Sequence, residues 1–295
     1  MSIPAITPYP MPGREEQPEN RVNWQLDPQR TVLLVHDMQE YFLNKYFQDQ
    51  APIPVLKNHI GQLLAVARAQ GIPIFYTAQP TDQPDEDRAL LNDMWGPGIP
   101  AHPEQYPIIA ELAPQQNETV LTKWRYSAFQ RSDFREQLRQ LGRDQLVITG
   151  VYAHIGCMTT ALDAFMEDVQ PFLVNDAVAD FSLEEHLMAS RYVAKRCGVS
   201  LSTATAIASL DGQSQQDGTR FSAADLDKEV ERLLEEPIDE LPGDENVMLL
   251  GMDSIRLMSL AERLRSAGIN ASFADLAERP TLDEWRALVR AGGVQ

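Results

Sequence analysis

Five short apolar runs, separated by longer helical or polar segments, constrain the larger N-terminal part of this chain most strongly. The runs are continuous and rich in β-branched residues, which is typical of strands that are buried on both faces. They lie at residues 31–35, 72–77, 119–123, 146–152 and 172–176. Helical patterns stand between or after them, at residues 55–70, 134–141, 160–168, 182–197 and 202–210. This alternation predicts an α/β fold with a mainly parallel sheet flanked by helices.

The C-terminal part has helical patterns only. Residues 211–220 are polar, contain two glycines and lack apolar periodicity, which indicates a flexible linker. The helices that follow are predicted to begin at residues 222, 254, 273 and 281, and they indicate a small all-α four-helix domain. The predicted divisions are an N-terminal arm at residues 1–28, lying over the surface or partly disordered, an α/β domain at 29–210, the linker at 211–220 and the helical domain at 221–295.

Charge and composition exclude several classes of protein. The net charge of −18, without a cluster of lysines and arginines, argues against a nucleic-acid partner. No apolar run approaches the roughly 20 residues that span a bilayer, and the N-terminus has no signal pattern, so we expect a cytoplasmic protein with no membrane partner. Two cysteines, Cys157 and Cys197, are too few for a disulfide framework or a four-ligand zinc site. Neither a metal nor a redox cofactor is expected.

Four of the predicted strands are followed by residues that can carry chemistry. Asp37 follows the first strand, Gln79 follows the second, Lys123 ends the third, and a glycine-bearing turn at residues 150–157 follows the fourth. Each residue alone has a plain structural explanation, since Asp37 could cap a helix and Lys123 could be a solvated charge. Because the carboxyl ends of parallel strands meet at one edge of a sheet, their coincidence favours a functional site there.

The turn after the fourth strand carries a recognisable motif. Its sequence, GVYAHIGC at residues 150–157, together with HDMQ at residues 36–39 and Lys123, resembles the signature of the isochorismatase-like cysteine hydrolases, over about residues 20–210. In the amidase branch of that family the catalytic residues are Asp, Lys and Cys. Here Gly156 stands at the position of the nucleophile and Cys157 stands one residue later, which resembles the isochorismatase branch.

The chemistry that this resemblance implies needs no covalent nucleophile. The vinyl ether of isochorismate requires a proton on its methylene carbon; the resulting oxocarbenium ion captures water, and the hemiketal collapses to pyruvate and a dihydrodiol. We assign Asp37 as the general acid, which must carry a proton when the substrate is bound. Lys123 would hold a carboxylate or orient the ether, and Gly156 would leave open space and let the backbone approach the substrate.

The resemblance also implies a substrate pocket lined by Gln79, Arg88, Trp95 and Tyr152, in which Arg88 suits a dianionic substrate. Relatives often have a non-proline cis peptide within residues 150–152 and often self-associate, so a homo-oligomer is expected. Two alternatives stay open: an amidase that uses Cys157, and a scaffold whose hydrolase part is inactive. We favour a Cys157 that is a buried, small side chain.

A second motif lies near the C-terminus, where the sequence LGMDSI at residues 250–255 opens a helical pattern. Residues 221–295 contain no histidine that could activate Ser254, so this serine is interpreted as an attachment point. The motif resembles the modification site of peptidyl and aryl carrier domains, over about residues 221–292, whose serine carries 4′-phosphopantetheine. A phosphodiester suits a helix N-terminus. Met258, Phe273 and Ala277 are expected to form the face that partner enzymes contact.

The two resemblances together indicate the bifunctional isochorismatase and aryl carrier proteins of catechol siderophore synthesis, of the vibriobactin type and similar to the enterobactin and bacillibactin proteins. That family implies hydrolysis of isochorismate to 2,3-dihydro-2,3-dihydroxybenzoate and pyruvate, and carriage of 2,3-dihydroxybenzoate as a thioester. It also implies several protein partners: a phosphopantetheinyl transferase, a 2,3-dihydroxybenzoate-adenylating enzyme and a condensation enzyme of the assembly line.

Overall fold

The structure is a computed structural model that describes residues 3–211, 221–234, 236–238, 241–267, 269 and 271–291, without the side chains of residues 262, 265 and 266. The chain forms two compact units, Met1–Ser214 and Gln215–Gln295. The predicted linker lies, apart from Asp211, outside the described residues, and the predicted domain boundaries stay predictions. None of the described helices is long and apolar enough to cross a membrane.

A parallel sheet forms the centre of the N-terminal unit, which confirms the fold predicted from the apolar runs. Its strands are β1 (Thr31–His36), β2 (Ile74–Ala78), β3 (Thr119–Thr122), β4 (Gln145–Val151), β5 (Gln170–Ala179) and β6 (Val199–Leu201). They lie in the order β3-β2-β1-β4-β5-β6, and all the paired strands run parallel. The sequence did not reveal β6, because a strand of three residues is too short to show a pattern.

Helices cover both faces of this sheet. They are α1 (Glu40–Leu43), α2 (Ile53–Ala69), α3 (Asp85–Arg88), α4 (Leu90–Trp95), α5 (Phe134–Gln140), α6 (Met158–Met166), α7 (Leu183–Arg196) and α8 (Thr203–Leu210). Because successive side chains of a strand point to opposite faces, β1 places Leu33 and Val35 in one apolar core and Val32 and Leu34 in the other. β1 is thereby held from both sides, and the residues that follow it start from a rigid position.

The long connection between β2 and β3 contains short helices and not an irregular loop. Besides α3 and α4 it includes three 3₁₀ turns, at Ile99–Ala101, Pro103–Gln105 and Ala110–Leu112. Prolines at the start of the first two of these turns suit a position that needs no backbone N–H donor. The connection carries Arg88 and Trp95 to the edge of the sheet where the strands end.

The described part of the N-terminal arm, residues 3–28, packs onto the α/β unit. Ile3, Ile6 and Tyr9 are buried, and the backbone N–H of Ile6 donates to the carbonyl of Lys45 at 2.8 Å. The hydroxyl of Tyr9 accepts from the backbone N–H of Asp180 at 2.7 Å. Of the two expectations for the arm, a segment that lies over the surface therefore fits the described residues, and disorder does not.

Helices make up the core of the C-terminal unit, as its sequence pattern predicted. They are α9 (Ala223–Leu234), α10 (Ser254–Ser266), α11 (Phe273–Glu278) and α12 (Leu282–Ala291). Their apolar faces meet around the fully buried Trp285, whose indole N–H donates to the carbonyl of Leu276 at 3.1 Å. A capping box between Ser272 and Asp275 fixes the start of α11.

Candidate active site and carrier site

One cavity opens where β1 to β4 end, and it gathers all the residues predicted for the hydrolase site. It encloses about 500 Å³ of empty space, including the solvent at its mouth. Its lining contains Asp37, Gln79, Arg88, Trp95, Lys123, Tyr152 and Gly156. The sequence did not point to the other lining residues, which are Ile3, Tyr41, Phe42, Leu91, Tyr126, Ile155 and Phe181. Most of these are apolar or aromatic, and no local pattern separates them from core residues.

Asp37 is the first residue after β1, and its backbone has a left-handed φ of 49°. Among residues with a β-carbon, aspartate and asparagine adopt this conformation most readily. The carboxyl group is buried, and each of its oxygens accepts a hydrogen bond. Oδ1 accepts from the hydroxyl of Thr77 at 2.5 Å, and Oδ2 accepts from Nζ of Lys123 at 2.9 Å. Thr77 was missed by the sequence analysis, although its place near the end of β2, beside β1, could have revealed it.

Lys123 directly follows β3, which is an edge strand of the sheet. Its backbone N–H donates to the carbonyl of Ala78 at 2.9 Å, which continues the pairing of β3 with β2. Only 3% of the residue is exposed, and its ammonium group pairs with Asp37. Burying two opposite charges together avoids the large cost of burying either one alone. The structure thus brings Asp37, the predicted general acid, and Lys123 into direct contact.

Arg88 is a buried cation at the wall of the cavity. Nε donates to the carbonyl of Gly96 at 2.7 Å, and one terminal nitrogen donates to Oε1 of Gln83 at 3.0 Å. Burial lowers the pKa of its guanidinium group. Within the described part of the chain, no carboxylate forms a salt bridge with Arg88, although it is only 3% exposed. A buried guanidinium group without a carboxylate partner is suited to bind an anionic ligand.

The other predicted pocket residues are held by hydrogen bonds and by their rings. The indole N–H of Trp95 donates to the hydroxyl of Tyr126 at 2.8 Å, and the hydroxyl of Tyr152 donates to the carbonyl of Phe42 at 2.9 Å. The rings of Tyr152 and Phe181 lie 4.5 Å apart. The Val151–Tyr152 peptide is cis, as the family resemblance implied. Together these aromatic side chains give the cavity a rigid, largely apolar wall.

Gly156 lies in a π-helical turn, Ala153–Cys157, that leads from β4 into α6. We expected this glycine to leave open space, but a β-carbon at this position would lie only 2.2 Å from Cε1 of His36. The imidazole of His36 therefore fills the volume that a side chain would use. The sequence placed His36 at the end of a strand but gave no sign of this contact, because the two residues lie far apart in the chain.

Cys157 is buried in the core under the sheet and is absent from the lining of the cavity. Its thiol donates to the carbonyl of Thr149, at 3.9 Å from Sγ. Burial raises the pKa of this thiol well above its usual value, which disfavours the reactive thiolate. Cys197 is also buried, and burial raises its pKa to about 11. These positions agree with the prediction that Cys157 is a small core side chain.

In the C-terminal unit, Ser254 is exposed at the first position of α10. Gly251, with a φ of 103°, makes the turn that precedes it. Oδ1 of Asp253 accepts from the backbone N–H of Arg256 at 2.8 Å, so Asp253 caps the helix and the hydroxyl of Ser254 stays accessible. An exposed hydroxyl in the first turn of a helix fits a phosphodiester, because the helix N-terminus favours negative charge.

Exposed apolar side chains follow this serine on α10 and also lie on α11. Ile255 is 77% exposed and Met258 is 60% exposed, and Phe273 and Ala277 lie at the surface of α11. The three residues predicted for the partner face are thus all exposed. Met252, by contrast, is buried and anchors the turn before Ser254 in the core of the unit.

Comparison with known proteins gives matches for both units. Residues 31–205 match the isochorismatase domain, and residues 224–289 match the phosphopantetheine attachment site. The chain is 46% identical over 298 residues to an isochorismatase of Bacillus subtilis, covering 98% of this chain and 96% of that protein. It is 45% identical over 289 residues to enterobactin synthase component B of Escherichia coli, covering 98% of each.

A solved structure shares the fold of the N-terminal unit. It is a cysteine hydrolase from Pseudomonas syringae, with a TM-score of 0.58 and 23% identity, covering 66% of this chain and 98% of that one. At this identity the likeness shows the fold alone.

Proposed function

The chain belongs to the isochorismatase family and ends in a phosphopantetheine attachment domain, and we propose how its residues perform these two tasks. The N-terminal unit hydrolyses the vinyl ether of isochorismate to pyruvate and 2,3-dihydro-2,3-dihydroxybenzoate. The observation that carries the proposal is the carboxyl group of Asp37, held by Thr77 and Lys123 at a cavity whose wall includes Arg88, a cation without a salt bridge among the described residues.

Asp37 is proposed to donate the proton that starts the reaction. The two carboxylates of isochorismate add negative charge to the cavity, which favours the protonated form of a neighbouring carboxyl group. Once Asp37 carries a proton, the ammonium group of Lys123 loses its charged partner and can bind a substrate carboxylate or the ether oxygen. The lysine that holds the acid before the reaction would thus hold the substrate during it.

The proposed steps return the site to its starting state. Asp37 transfers its proton to the methylene carbon and becomes a carboxylate, which the nearby ammonium of Lys123 stabilises. Water adds to the resulting oxocarbenium ion, and the proton that it releases returns to Asp37. The hemiketal then collapses. The bond between its carbon and the ether oxygen on the ring breaks, and the hydroxyl proton of the hemiketal passes to that oxygen, which gives the ketone of pyruvate and the hydroxyl of the dihydrodiol.

Arg88 is proposed to bind a carboxylate of the substrate. Replacing Arg88 with Gln should raise KM for isochorismate about tenfold to a hundredfold, since hydrogen bonds to charged groups contribute roughly 1.5–3 kcal/mol. Arg88→Lys keeps the charge but not the planar donor geometry, and should give an intermediate KM. Arg139→Gln, on the exposed surface of α5, is the control and should leave KM unchanged. Steady-state kinetics give KM for the unchanged chain and for these three variants. An unchanged KM in Arg88→Gln would exclude this role.

An amidase that uses Cys157 is the rival function, and the buried thiol argues against it. Replacing Cys157 with Ala should leave pyruvate release close to that of the unchanged chain, because the thiol neither lines the cavity nor favours its thiolate form. The assay follows pyruvate with isochorismate as substrate and ammonia with nicotinamide as substrate. Loss of most pyruvate release on this substitution, or release of ammonia by the unchanged chain, would favour the amidase.

The C-terminal unit is a carrier domain with covalently attached 4′-phosphopantetheine, a flexible arm whose thiol forms thioesters. We propose Ser254 as the attachment residue and 2,3-dihydroxybenzoate as the cargo, for a catechol siderophore. The proposed partners are a phosphopantetheinyl transferase, an adenylating enzyme and a condensation enzyme, which contact Met258, Phe273 and Ala277. Two free buried thiols support a reducing compartment such as the cytoplasm, and the homo-oligomer stays a proposal.

Incubation of the purified chain with isochorismate tests the first task, and a loading assay tests the second. We expect equal amounts of pyruvate and dihydrodiol from the first reaction. In the second, the transferase is followed by the adenylating enzyme, ATP and 2,3-dihydroxybenzoate, and we expect a thioester on the carrier unit. A chain that is loaded but releases no pyruvate would be the inactive scaffold considered above.

A further inference from the structure

His36 is a fully buried side chain that the proposed mechanism does not use. It ends β1 and directly precedes Asp37. Nδ1 lies 2.9 Å from the carbonyl oxygen of Val151. Because a carbonyl oxygen can only accept a hydrogen bond, Nδ1 carries a proton and donates. Burial lowers the pKa of the imidazole to about 4, so the ring is neutral near pH 7.

Two glycines of the neighbouring segment make room for this histidine. Gly150 pairs with His36 across β4 and β1, has a φ of 106°, and would bring a β-carbon within 2.1 Å of the carbonyl oxygen of His36. Gly156 would bring a β-carbon within 2.2 Å of Cε1 and 2.9 Å of Nε2 of the ring. One glycine accommodates the backbone of His36, and the other accommodates its imidazole.

The reason for a glycine differs between these two positions. Gly150 has a left-handed φ that other residues rarely adopt, whereas Gly156 lies outside that region. Its backbone would therefore accept a side chain, and the imidazole of His36 is what excludes one. The ring cannot move aside easily, because it is fully buried and hydrogen-bonded to the carbonyl of Val151. Any displacement would also disturb Asp37, the next residue, and its bonds to Thr77 and Lys123.

We propose that His36 determines which chemistry the cavity can perform, because its imidazole occupies the volume that any side chain at position 156 would need. While His36 is present, no nucleophile can stand at that position, and Asp37 remains the reacting group. Nδ1 of His36 also lies 3.5 Å from Oδ2 of Asp37, so the buried ring limits where this carboxyl group can lie, and His36 acts as a positioning residue. The steric part of this proposal is independent of the substrate, whereas the effect of His36 on turnover rests on the function proposed above.

A double-mutant cycle in the full chain tests this proposal. Its members are Gly156→Ala, His36→Ala and the double variant, and Gly61→Ala in α2 is the matched control, since a β-carbon at Gly61 meets nothing within 4 Å. The unfolding midpoint in urea is measured for each. We expect Gly156→Ala to lower the midpoint and Gly61→Ala to leave it equal or higher. The double variant should lower the midpoint by less than the two single decreases added together.

Kinetics test the positioning role separately. His36→Ala should lower kcat for pyruvate release about tenfold to a hundredfold and change KM less than about twofold, because a misplaced acid slows the reaction without weakening binding. His36→Asn, whose amide can still donate to Val151, should recover part of kcat, and it replaces His36→Ala in the cycle if the alanine variant does not fold. If Gly156→Ala itself does not fold, we expect the double variant, which also lacks the imidazole, to fold.

Two results would overturn the proposal. One is a Gly156→Ala chain with the midpoint and kcat of the unchanged chain. The other is an additive cycle, in which Gly156→Ala lowers the unfolding midpoint by the same amount with and without the imidazole of His36. Failure of every protein, including the unchanged chain, to release pyruvate would instead reject the proposed function. The midpoints, which need no substrate, would still decide the steric part.

Discussion

Replacing Asp37 with Asn is expected to lower the rate of pyruvate release from isochorismate by about 10²–10⁴-fold, the usual contribution of a general acid. Asparagine has nearly the same shape and can keep the hydrogen bond with Thr77, but its amide cannot donate a proton to carbon. The assay follows pyruvate at saturating isochorismate, so that the change is read in kcat. KM should change much less, since Arg88 and the aromatic wall of the cavity are unaltered.

Two controls accompany this variant. Asp49→Asn, at an exposed position, should leave kcat unchanged. Loading of the carrier unit by the transferase should proceed equally in Asp37→Asn and in the unchanged chain, because Asp37 and Ser254 belong to separate compact units. Removing the carboxylate leaves the ammonium of Lys123 buried without its partner, so a lower unfolding midpoint is also expected. A kcat within a few-fold of the unchanged chain would place the acid elsewhere.

Replacing Ser254 with Ala is expected to abolish loading completely. A transferase forms the phosphodiester on the serine oxygen, and alanine has no oxygen to accept the group. Alanine is well tolerated in the first turn of a helix, and Asp253, not Ser254, provides the cap of α10. The unit should therefore remain folded. Mass spectrometry of the intact chain after incubation with the transferase should show the added group in the unchanged chain and none in the variant.

A neighbouring serine gives the matched control for this experiment. Ser259 lies on the same helix and is also exposed, with its hydroxyl donating to the carbonyl of Ile255 at 3.1 Å. Ser259→Ala should be loaded like the unchanged chain, and pyruvate release should be the same in all three proteins. A mass gain in Ser254→Ala would disprove the attachment site.

The parts of the molecule that depend on local patterns could be predicted from the sequence. Buried parallel strands are continuous apolar runs, so the sheet was predicted and the rule for strand ends led to Asp37 and Lys123. Ser254 was predicted because the attachment site of a carrier domain is a linear motif at the start of a helix. The short strand β6 and the extra residues of β5 were missed, since neither has a distinctive periodicity.

Contacts between distant parts of the chain could not be predicted. Arg88 and Trp95 were named by resemblance alone, because the segment between β2 and β3 has no apolar period and its short helices depend on their contacts. Ile3 reaches the cavity from the far N-terminus. The contact of His36 with Gly156 joins the end of β1 to the turn after β4, and only the folded chain shows that the space beside the glycine is filled.

The site of bond cleavage in isochorismate is the most direct test of the proposed mechanism. The reaction is run with the unchanged chain in water labelled with a heavy oxygen isotope, and the mass of the dihydrodiol is measured. After protonation of the vinyl ether, water adds to the carbon that becomes the ketone of pyruvate, and the bond between this carbon and the oxygen on the ring breaks. The dihydrodiol keeps its original oxygen and should therefore be free of label. Heavy oxygen in the dihydrodiol would mean attack of water on the ring carbon, and would contradict the role proposed for Asp37.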